Sequence, residues 1–316
     1  MPGPGDEAWE KELINRVVLE NVKEQRRSRR WGVFFKLLAF GYLFALLFLL
    51  WPDNAIQRVS QDEKHTAVVE IKGVIAPETK ASADDVVEAL RKAYEDDNTK
   101  GIVVRINSPG GSPVQAGYIN DEISRMREEH PEIPVYAVIA DLCASGGYYV
   151  AVAADKIFVD KASLVGSIGV RIGTFGFEEA LDELGIERRL LTAGKNKGIL
   201  DPFSPFPEEQ RAYLQSILDQ LHQQFIAVVK KGRGDRLNVG EELFSGLFWS
   251  GEESIALGLA DGFGSTSYVA REVIGAEKTV TFTSDKDWIE RLADRLGTSL
   301  AQSLLGLTGG GYPLAR

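Results

Sequence analysis

A serine stands among small residues at a point where a buried strand is expected to end, in the segment CASGG at 143–147. A sharp turn between a strand and a helix exposes a serine hydroxyl for nucleophilic attack, and small neighbours relieve the crowding there. The full G-x-S-x-G pattern is missing, because Cys143 occupies the first glycine position. Ser145 could also be the N-cap of a helix, which is the commoner use of serine at such a position. The thiol of Cys143 is a second candidate nucleophile, although no base stands near it in the sequence.

A second group of small residues is the loop NSPGGS at 107–112. Paired glycines after a buried strand let backbone N–H groups point at a ligand without obstruction, so Gly110 and Gly111 could form an oxyanion hole or an anion nest. A plain turn is equally consistent with these residues. A Walker phosphate loop is excluded, because the GK[ST] part of that motif is missing.

A serine nucleophile needs a base, and the histidines do not supply an obvious one. They all lie outside the glycine-rich strand ends, at His65, His130 and His222. The loop TAGKNKGILDP offers Lys195 and Lys197 instead. A lysine accepts a proton only when neutral, which requires its pKa to fall by several units from about 10.4 through burial. Composition alone does not distinguish such a lysine from an ordinary solvated one.

Alternating strands and helices must position these three segments. Apolar runs typical of strands alternate with helical apolar spacing, and Ser82 stands at capping-box distance from Asp85. The predicted strands are 66–72, 101–107, 134–140 and 156–160. One predicted helix begins after Ser82, and the others cover 114–129, 145–154, 177–184, 208–231 and 252–259. Strands separated by helices favour a parallel sheet with right-handed crossovers, so we predict an α/β fold.

Residues 31–51 (WGVFFKLLAFGYLFALLFLLW) form a long apolar run that contains one charged residue, Lys36. A helix of this length covers about 30 Å, the thickness of the hydrocarbon core of a membrane. A buried core helix and a cleaved signal peptide are the alternatives, but no small-residue cleavage site follows the run. Four arginines precede it, at positions 26, 27, 29 and 30. The positive-inside rule therefore predicts a single-pass anchor with residues 1–30 in the cytoplasm and the remainder outside. In a bacterium this means an anchor in the inner membrane and a periplasmic or extracytoplasmic body.

The overall composition excludes several classes of protein. With 44% hydrophobic and 26% charged residues, the chain is neither disordered nor collagen-like. Its single cysteine cannot form an intramolecular disulfide. The net charge of −10 argues against a nucleic-acid-binding protein, which needs a basic face to replace phosphate counterions.

Five motifs occur in a characteristic order along the chain. They are INSPGGS at 106–112, ASGGYYVA at 144–151, DKIFVD at 155–160, VGSIGV at 165–170 and G-x-x-K-x-x-x-x-P at 194–202. Together they resemble the signal peptide peptidase A family of membrane-anchored Ser–Lys peptidases. The resemblance extends from about Val68 to Gly264. It implies a Clp protease/crotonase-like α/β fold of repeated ββα units, and not a doubly wound Rossmann sheet.

The resemblance also implies a role for each residue of the site. Ser145 is expected to be the nucleophile and Lys197 its general base, with Lys195 as the rival base. Ser167 is expected to orient the lysine. The N–H groups expected to form the oxyanion hole belong to Gly110 or Gly111 and to Gly146. No metal or cofactor is required. Family members of this length assemble into homo-oligomeric rings, commonly octamers, with active sites built across subunit contacts.

The resulting prediction is a membrane-anchored serine endopeptidase that degrades cleaved signal peptides and other hydrophobic or unfolded peptides. The predicted parts are a cytoplasmic segment (1–30), a transmembrane helix (31–51), a linker (52–65), a peptidase domain (66–285) and a C-terminal amphipathic segment with its tail (286–316). Two rival functions remain. A crotonase-type acyl-CoA enzyme would share the fold without needing Ser145 or Lys197, and an inactive membrane-bound scaffold or chaperone would work without Ser145.

Overall fold

One long helix, α1 (Glu7–Leu49), forms the N-terminal part of the computed structural model, which describes residues 7–49, 63–238 and 240–283. The predicted membrane span lies on this helix except for its last two residues, which fall outside the described ranges. No helix in the described part of the chain is both long enough and apolar enough to cross a membrane. The chain divides after Asp62 into two units, and the described strands all lie in the second.

Three long parallel strands form the centre of the sheet: β1 (His65–Lys72), β2 (Thr99–Ser108) and β3 (Val135–Ala144). β2 lies between the other two and pairs in parallel with both, so the carboxyl ends of all three lie at one edge. The apolar run Ile102–Val104 in β2 is buried, as expected for a strand covered on both faces of the sheet. The predicted strands in these regions and their parallel pairing are confirmed.

Three helices connect these strands and are named α2 (Ala83–Glu95), α3 (Pro113–Glu129) and α4 (Gly146–Ala151). The hydroxyl of Ser82 accepts the N–H of Asp85 and donates to its carboxylate, so α2 begins as the sequence predicts. α3 begins in the same way after Ser112, with proline in its first turn. Helix α4 is shorter than predicted, because it ends at Ala151.

Strand β3 changes its neighbour partway along. Residues near its start pair with β4 (Lys156–Val159), and its last three residues pair with β5 (Leu164–Gly166). The register against β2 shifts between the two halves: Ile106 faces Ile139, whereas Ser108 faces Cys143. Such an irregularity re-aims the end of a strand. The strand predicted to end at residue 140 therefore continues to Ala144, and this extension brings the turn after β3 beside the end of β5.

Two 3₁₀ turns, Gly234–Arg236 and Glu241–Phe244, follow in the second half of the chain. The remaining strands and α-helices are short, apart from one helix. They are α5 (Glu178–Glu183), α6 (Glu208–Arg233), β6 (Phe248–Ser250), α7 (Gly251–Ala256), β7 (Gly262–Phe263), α8 (Thr266–Tyr268), which continues into a π-helical turn, and β8 (Thr279–Thr281). The sheet runs in the order β6-β5-β3-β2-β1-β8, and β4 pairs with β3 and β7. β6 is antiparallel to β5. Residues 52–62 of the predicted linker and nearly all of the predicted C-terminal segment lie outside the described residues.

Residues 171–206, between β5 and α6, form an exposed arm, and none of them is buried. The arm has aromatic contacts of its own, because the ring of Phe177 stacks on Phe203 with centroids 5.6 Å apart. It nevertheless leaves 78% of Phe175 and 96% of Leu191 exposed. Contiguous apolar surface of this kind commonly marks an interaction site.

Candidate active site

Ser145 forms the turn between β3 and α4, with φ 52° and ψ −120°. A positive φ is uncommon for a residue that carries a Cβ and costs of order 1–3 kcal/mol, so the surroundings must hold it. The Ser145 N–H donates to the carbonyl of Gly166 at 2.9 Å, and the Ser145 carbonyl accepts the N–H of Tyr149 at 2.9 Å. This strand–turn–helix geometry is that of a nucleophile elbow.

The hydroxyl of Ser145 does not cap the helix that it precedes. Ser82, Ser112 and Ser250 also precede helices, but each has a φ between −64° and −63° and accepts a backbone N–H with its side chain. The Ser145 side chain is half-buried, and its Oγ has no hydrogen-bond partner within the described ranges. The N-cap alternative therefore fails for Ser145, and its Oγ remains available to a ligand.

The loop that follows β2 lies against this turn, and only glycine allows so close an approach. Gly110 and Gly111 have φ of +92° and +152°. A Cβ added to Gly110 would lie 2.6 Å from the nitrogen of Gly146, and one added to Gly111 would lie 2.1 Å from the carbonyl oxygen of Ile75. The plain-turn alternative does not explain this packing, because the paired glycines bring two strand ends together.

The two glycines differ in what their N–H groups do. The Gly110 N–H donates to Ser108 Oγ at 3.1 Å, and that hydroxyl donates to the Gly73 carbonyl at 2.6 Å. Gly111 instead forms a parallel bridge with Ile75, whose two hydrogen bonds flank it, so its own N–H points away from Ile75. Neither Gly111 nor Gly146 donates its N–H to any group that the structure describes. Of the two predicted alternatives, Gly111 is therefore the one with a free donor beside Ser145.

Ser167 follows directly after Gly166, the residue whose carbonyl accepts the Ser145 N–H. Its φ is 54°, and its N–H donates to the carbonyl of Leu247 at 2.7 Å. Ser167 is half-buried. Ser145 and Ser167 lie in different loops of the sequence, and the pairing of β3 with β5 brings them to adjacent strand ends.

The two candidate lysines lie on the exposed arm. The side chain of Lys197 is exposed, and no hydrogen bond or ion pair joins it to Ser145 in the described chain. Lys195 forms an exposed ion pair with Glu209, whose carboxylate oxygens lie 2.9 and 3.1 Å from Nζ. Within one chain, the structure assembles the serine turn and the glycine loop but does not add a lysine to them.

Cys143 lies in the core, with none of its surface exposed. Burial raises the pKa of its thiol well above the usual range, which disfavours the reactive thiolate. A nucleophilic role for Cys143 is therefore not supported. The described residues also contain no group of three or more His, Cys, Asp or Glu side chains that could hold a metal ion.

His222 lies closer to the site than its sequence position indicates. Its Nε2 lies 3.1 Å from the carbonyl oxygen of Ile168, the residue after Ser167. The contact joins residues 54 positions apart, so no spacing rule applied to the sequence could find it. His65 and His130 instead lie near Asp96 and Glu132, on other parts of the fold.

Comparisons with known proteins show which family this chain is similar to. Residues 127–281 match the family model described as peptidase family S49. A protein of Brucella abortus named Na(+)/H(+) antiporter NhaA is 43% identical over 186 residues, which are 59% of this chain but 25% of that protein. Because the match covers a quarter of the Brucella protein, that name carries no argument about the matched part. A solved mutant of the 1510-N membrane-bound stomatin-specific protease covers 70% of this chain and 95% of its own, at 17% identity and a TM-score of 0.39.

Two further relatives are named as candidate peptidases. A candidate signal peptide peptidase SppA of Enterococcus faecium is 32% identical over 217 residues, covering 69% of this chain and 61% of that protein. A candidate protease of Synechocystis sp. is 30% identical over 217 residues, covering 69% of this chain and 74% of that protein. The family model matches the region that follows the glycine loop, and the Synechocystis relative is matched over most of its length. The chain belongs to peptidase family S49.

Proposed function

We propose that this protein is a serine endopeptidase with a Ser–Lys dyad. The observation that carries the proposal is the backbone of Ser145, held at φ 52° with a free hydroxyl beside two free N–H groups. An enzyme gains from such a turn because it fixes a nucleophile next to donors for the developing negative charge. Peptidase family membership supplies the chemical class of the substrate.

The mechanism assigns one step to each group. Neutral Lys197 Nζ takes the proton of Ser145 Oγ as that oxygen attacks the carbonyl carbon of a peptide bond. The N–H groups of Gly111 and Gly146 donate to the resulting oxyanion. The lysine ammonium then protonates the leaving amine, and an acyl-enzyme remains on Ser145. Water hydrolyses this ester with the lysine again as base, and the hydroxyl of Ser167 orients the lysine throughout.

The dyad requires a second copy of the chain. A lysine becomes a general base only where burial favours its neutral form, whereas the Lys197 side chain is exposed on the arm. The apolar side chains of the arm are exposed as well. Packing the arm against another subunit would bury both. This supports a homo-oligomer, with an octameric ring as the expected form, in which neighbouring copies complete each site.

Three finer features belong to the same proposal. The fold is Clp protease/crotonase-like with repeated ββα units, for which the mixed sheet and the change of partner along β3 are the support. The substrates are cleaved signal peptides and other hydrophobic peptides, in line with the name of the Enterococcus relative. The chain is anchored in the bacterial inner membrane by lipid contacts of residues 31–51, for which the apolar run and the preceding arginines are the support.

The dyad is tested by hydrolysis of a leucine-containing fluorogenic peptide with the full chain in detergent. We expect Ser145→Ala and Lys197→Ala to lose activity, and Lys195→Ala to keep it, because Lys195 pairs with Glu209. Folding and assembly of each variant are checked by unfolding and by size. Loss with Lys195→Ala but not Lys197→Ala would move the base to Lys195.

Two outcomes would replace the peptidase with a rival. If Ser145→Ala kept the biological function of the chain, an inactive scaffold or chaperone would be favoured. If the wild type turned over acyl-CoA thioesters and not peptides, a crotonase-type enzyme would be favoured.

The topology is tested with a protease added outside spheroplasts. We expect digestion of residues 63–283 and protection of residues 1–30. Protection of residues 63–283 would contradict the proposed periplasmic location.

A further inference from the structure

The turn between β5 and the arm holds two consecutive residues in left-handed backbone conformations. Gly166 has φ +119° and Ser167 has φ 54°. A Cβ on Gly166 would lie 2.7 Å from the ring of Trp249, so the strand pairing leaves room only for glycine. Strained residues persist only where neighbouring contacts over-determine them. The contacts of this turn therefore decide where Ser167 stands.

Three hydrogen bonds hold the turn, and one of them comes from a side chain. The Gly166 carbonyl accepts the Ser145 N–H, and the Ser167 N–H donates to Leu247. The carbonyl of Ile168, two residues after Gly166, accepts from His222 Nε2 at 3.1 Å. The side chain of Ile168 is completely buried, so its backbone has little access to other donors.

We propose that His222 is a positioning residue of the active site, acting through Ile168 on Ser167 and on the backbone of Ser145. This inference rests on the proposed peptidase function. His222 does not touch Ser145, and it takes no part in proton transfer.

Helix α6 holds the other flank of Ser145 as well. Phe225, three residues after His222 and therefore on the same face of the helix, packs on Tyr149 with ring centroids 5.2 Å apart. The Tyr149 N–H in turn holds the Ser145 carbonyl at 2.9 Å. Phe225 and Val229 are buried in the core, so their packing fixes the position of the helix that makes both contacts. One face of α6 thus supports both sides of the nucleophile turn.

The test compares three substitutions of His222 in the full chain in detergent. Glutamine places an amide N–H at about the reach of Nε2, whereas the shorter asparagine does not, and leucine has no donor. Because a displacement of 1 Å can cost about a hundredfold, we expect His222→Leu and His222→Asn to lower kcat roughly 10- to 100-fold with KM nearly unchanged. His222→Gln should restore kcat to within about threefold of the wild type. Gln223→Leu, on the neighbouring exposed position, is the matched control and should leave kcat unchanged.

The rate of Ser145 labelling by a fluorophosphonate distinguishes failure of the proposed role of His222 from failure of the proposed peptidase function. A wild type that is labelled at Ser145 and hydrolyses peptides, together with fully active His222→Leu and His222→Asn variants, would overturn the role of His222 alone. Equal kcat losses in His222→Gln and His222→Asn would also overturn it, because both amides carry an N–H and only that of glutamine reaches the Ile168 carbonyl. A wild type that is neither labelled nor active would overturn the proposed function, and the role of His222 with it. If His222→Leu does not fold, the Gln and Asn pair decides the outcome.

Discussion

Replacing Gly146 by alanine should lower activity with little change in stability. Gly146 is the first residue of α4 and is not among the positive-φ glycines, so alanine suits its backbone. A glycine-to-alanine change at a compatible position stabilises a protein by about 0.4–1 kcal/mol, chiefly by restricting the unfolded chain. The added Cβ would lie 3.2 Å from the nitrogen of Gly111, 3.4 Å from Ala116 Cβ and 3.5 Å from Gly110 Cα. The tightest of these contacts is therefore with the proposed oxyanion donor.

The size of the effect follows from that contact. At 3.2 Å the methyl group lies within the usual separation of about 3.5–4.0 Å between nonbonded heavy atoms, so the Gly111 nitrogen must shift by a few tenths of an ångström. Removing an oxyanion donor outright costs about 100- to 1000-fold in kcat. A displaced donor should cost less, and we expect a fall of roughly 10- to 100-fold, or about 1.4–2.7 kcal/mol in the activation free energy.

The assay is kcat for peptide hydrolysis, measured beside urea unfolding of the same preparation. Gly117→Ala is the matched control, because Gly117 lies inside α3 and an added Cβ there meets nothing within 4 Å. The control should gain stability and keep its kcat. If Gly146→Ala folded normally and kept kcat within about threefold of the wild type, the assignment of Gly111 and Gly146 as oxyanion donors would be refuted.

Three further outcomes are expected. Ser145→Gly should raise the free energy of unfolding by about 1 kcal/mol relative to Ser145→Ala while both lose hydrolysis, because glycine removes the Cβ from a left-handed backbone; a Ser145→Gly variant less stable than the alanine variant in urea would contradict this. The hydrogen bonds of Arg125, opposed by burial and reinforced by Arg91, lower the pKa of Glu122 from 4.5 to about 2. A carboxylate with a lowered pKa stabilises the fold at pH values above the pKa of the unfolded chain, and this stabilisation is lost as the pH falls. Glu122→Gln should therefore cost about 1–2 kcal/mol at pH 7, and this deficit should shrink from about pH 4.5 towards pH 2. A deficit that does not change with pH would speak against this ion pair. Arg233→Ala should cost about 2–3 kcal/mol in urea unfolding, because it removes the buried partner of the Asp261 carboxylate, which keeps the more exposed Arg236 at 3.3 Å; a cost below about 1 kcal/mol would show that the buried pair is not needed.

The long elements could be predicted because each has a pattern within itself. The cap at Ser82 and the apolar spacing after it are local, and the structure has both. Strands β5 to β8 were not predicted, since strands of two or three residues are too short to show a period. Their conformation depends on pairing with distant parts of the chain. The sequence does not show the extension of β3 for the same reason, because Asp141 interrupts the apolar run and β5 supplies the partner.

In the candidate site too, local features could be predicted from the sequence, whereas contacts between distant residues could not. Residue type and order identified Ser145 and the paired glycines, because small residues at strand ends are visible in the sequence. Which glycine keeps a free N–H depends on the hydroxyl of Ser108, and that bond is set by three-dimensional packing. The contact of His222 with Ile168 depends on where α6 lies against the sheet. The residue types follow from the sequence pattern, whereas the hydrogen-bond partners depend on how distant parts of the chain pack.

The position of Lys197 on an exposed arm has a consequence for the life of the protein in a cell. If each active site uses the lysine of a neighbouring chain, a newly synthesised monomer is inactive until it assembles with other copies. Onset of cutting then follows the local density of the protein, by mass action, rather than its synthesis. Dilution would lower the activity without any inhibitor, and a high local concentration of the protein would raise it. The arm would thus make proteolysis depend on the concentration of the protein and limit it to places where the protein has accumulated.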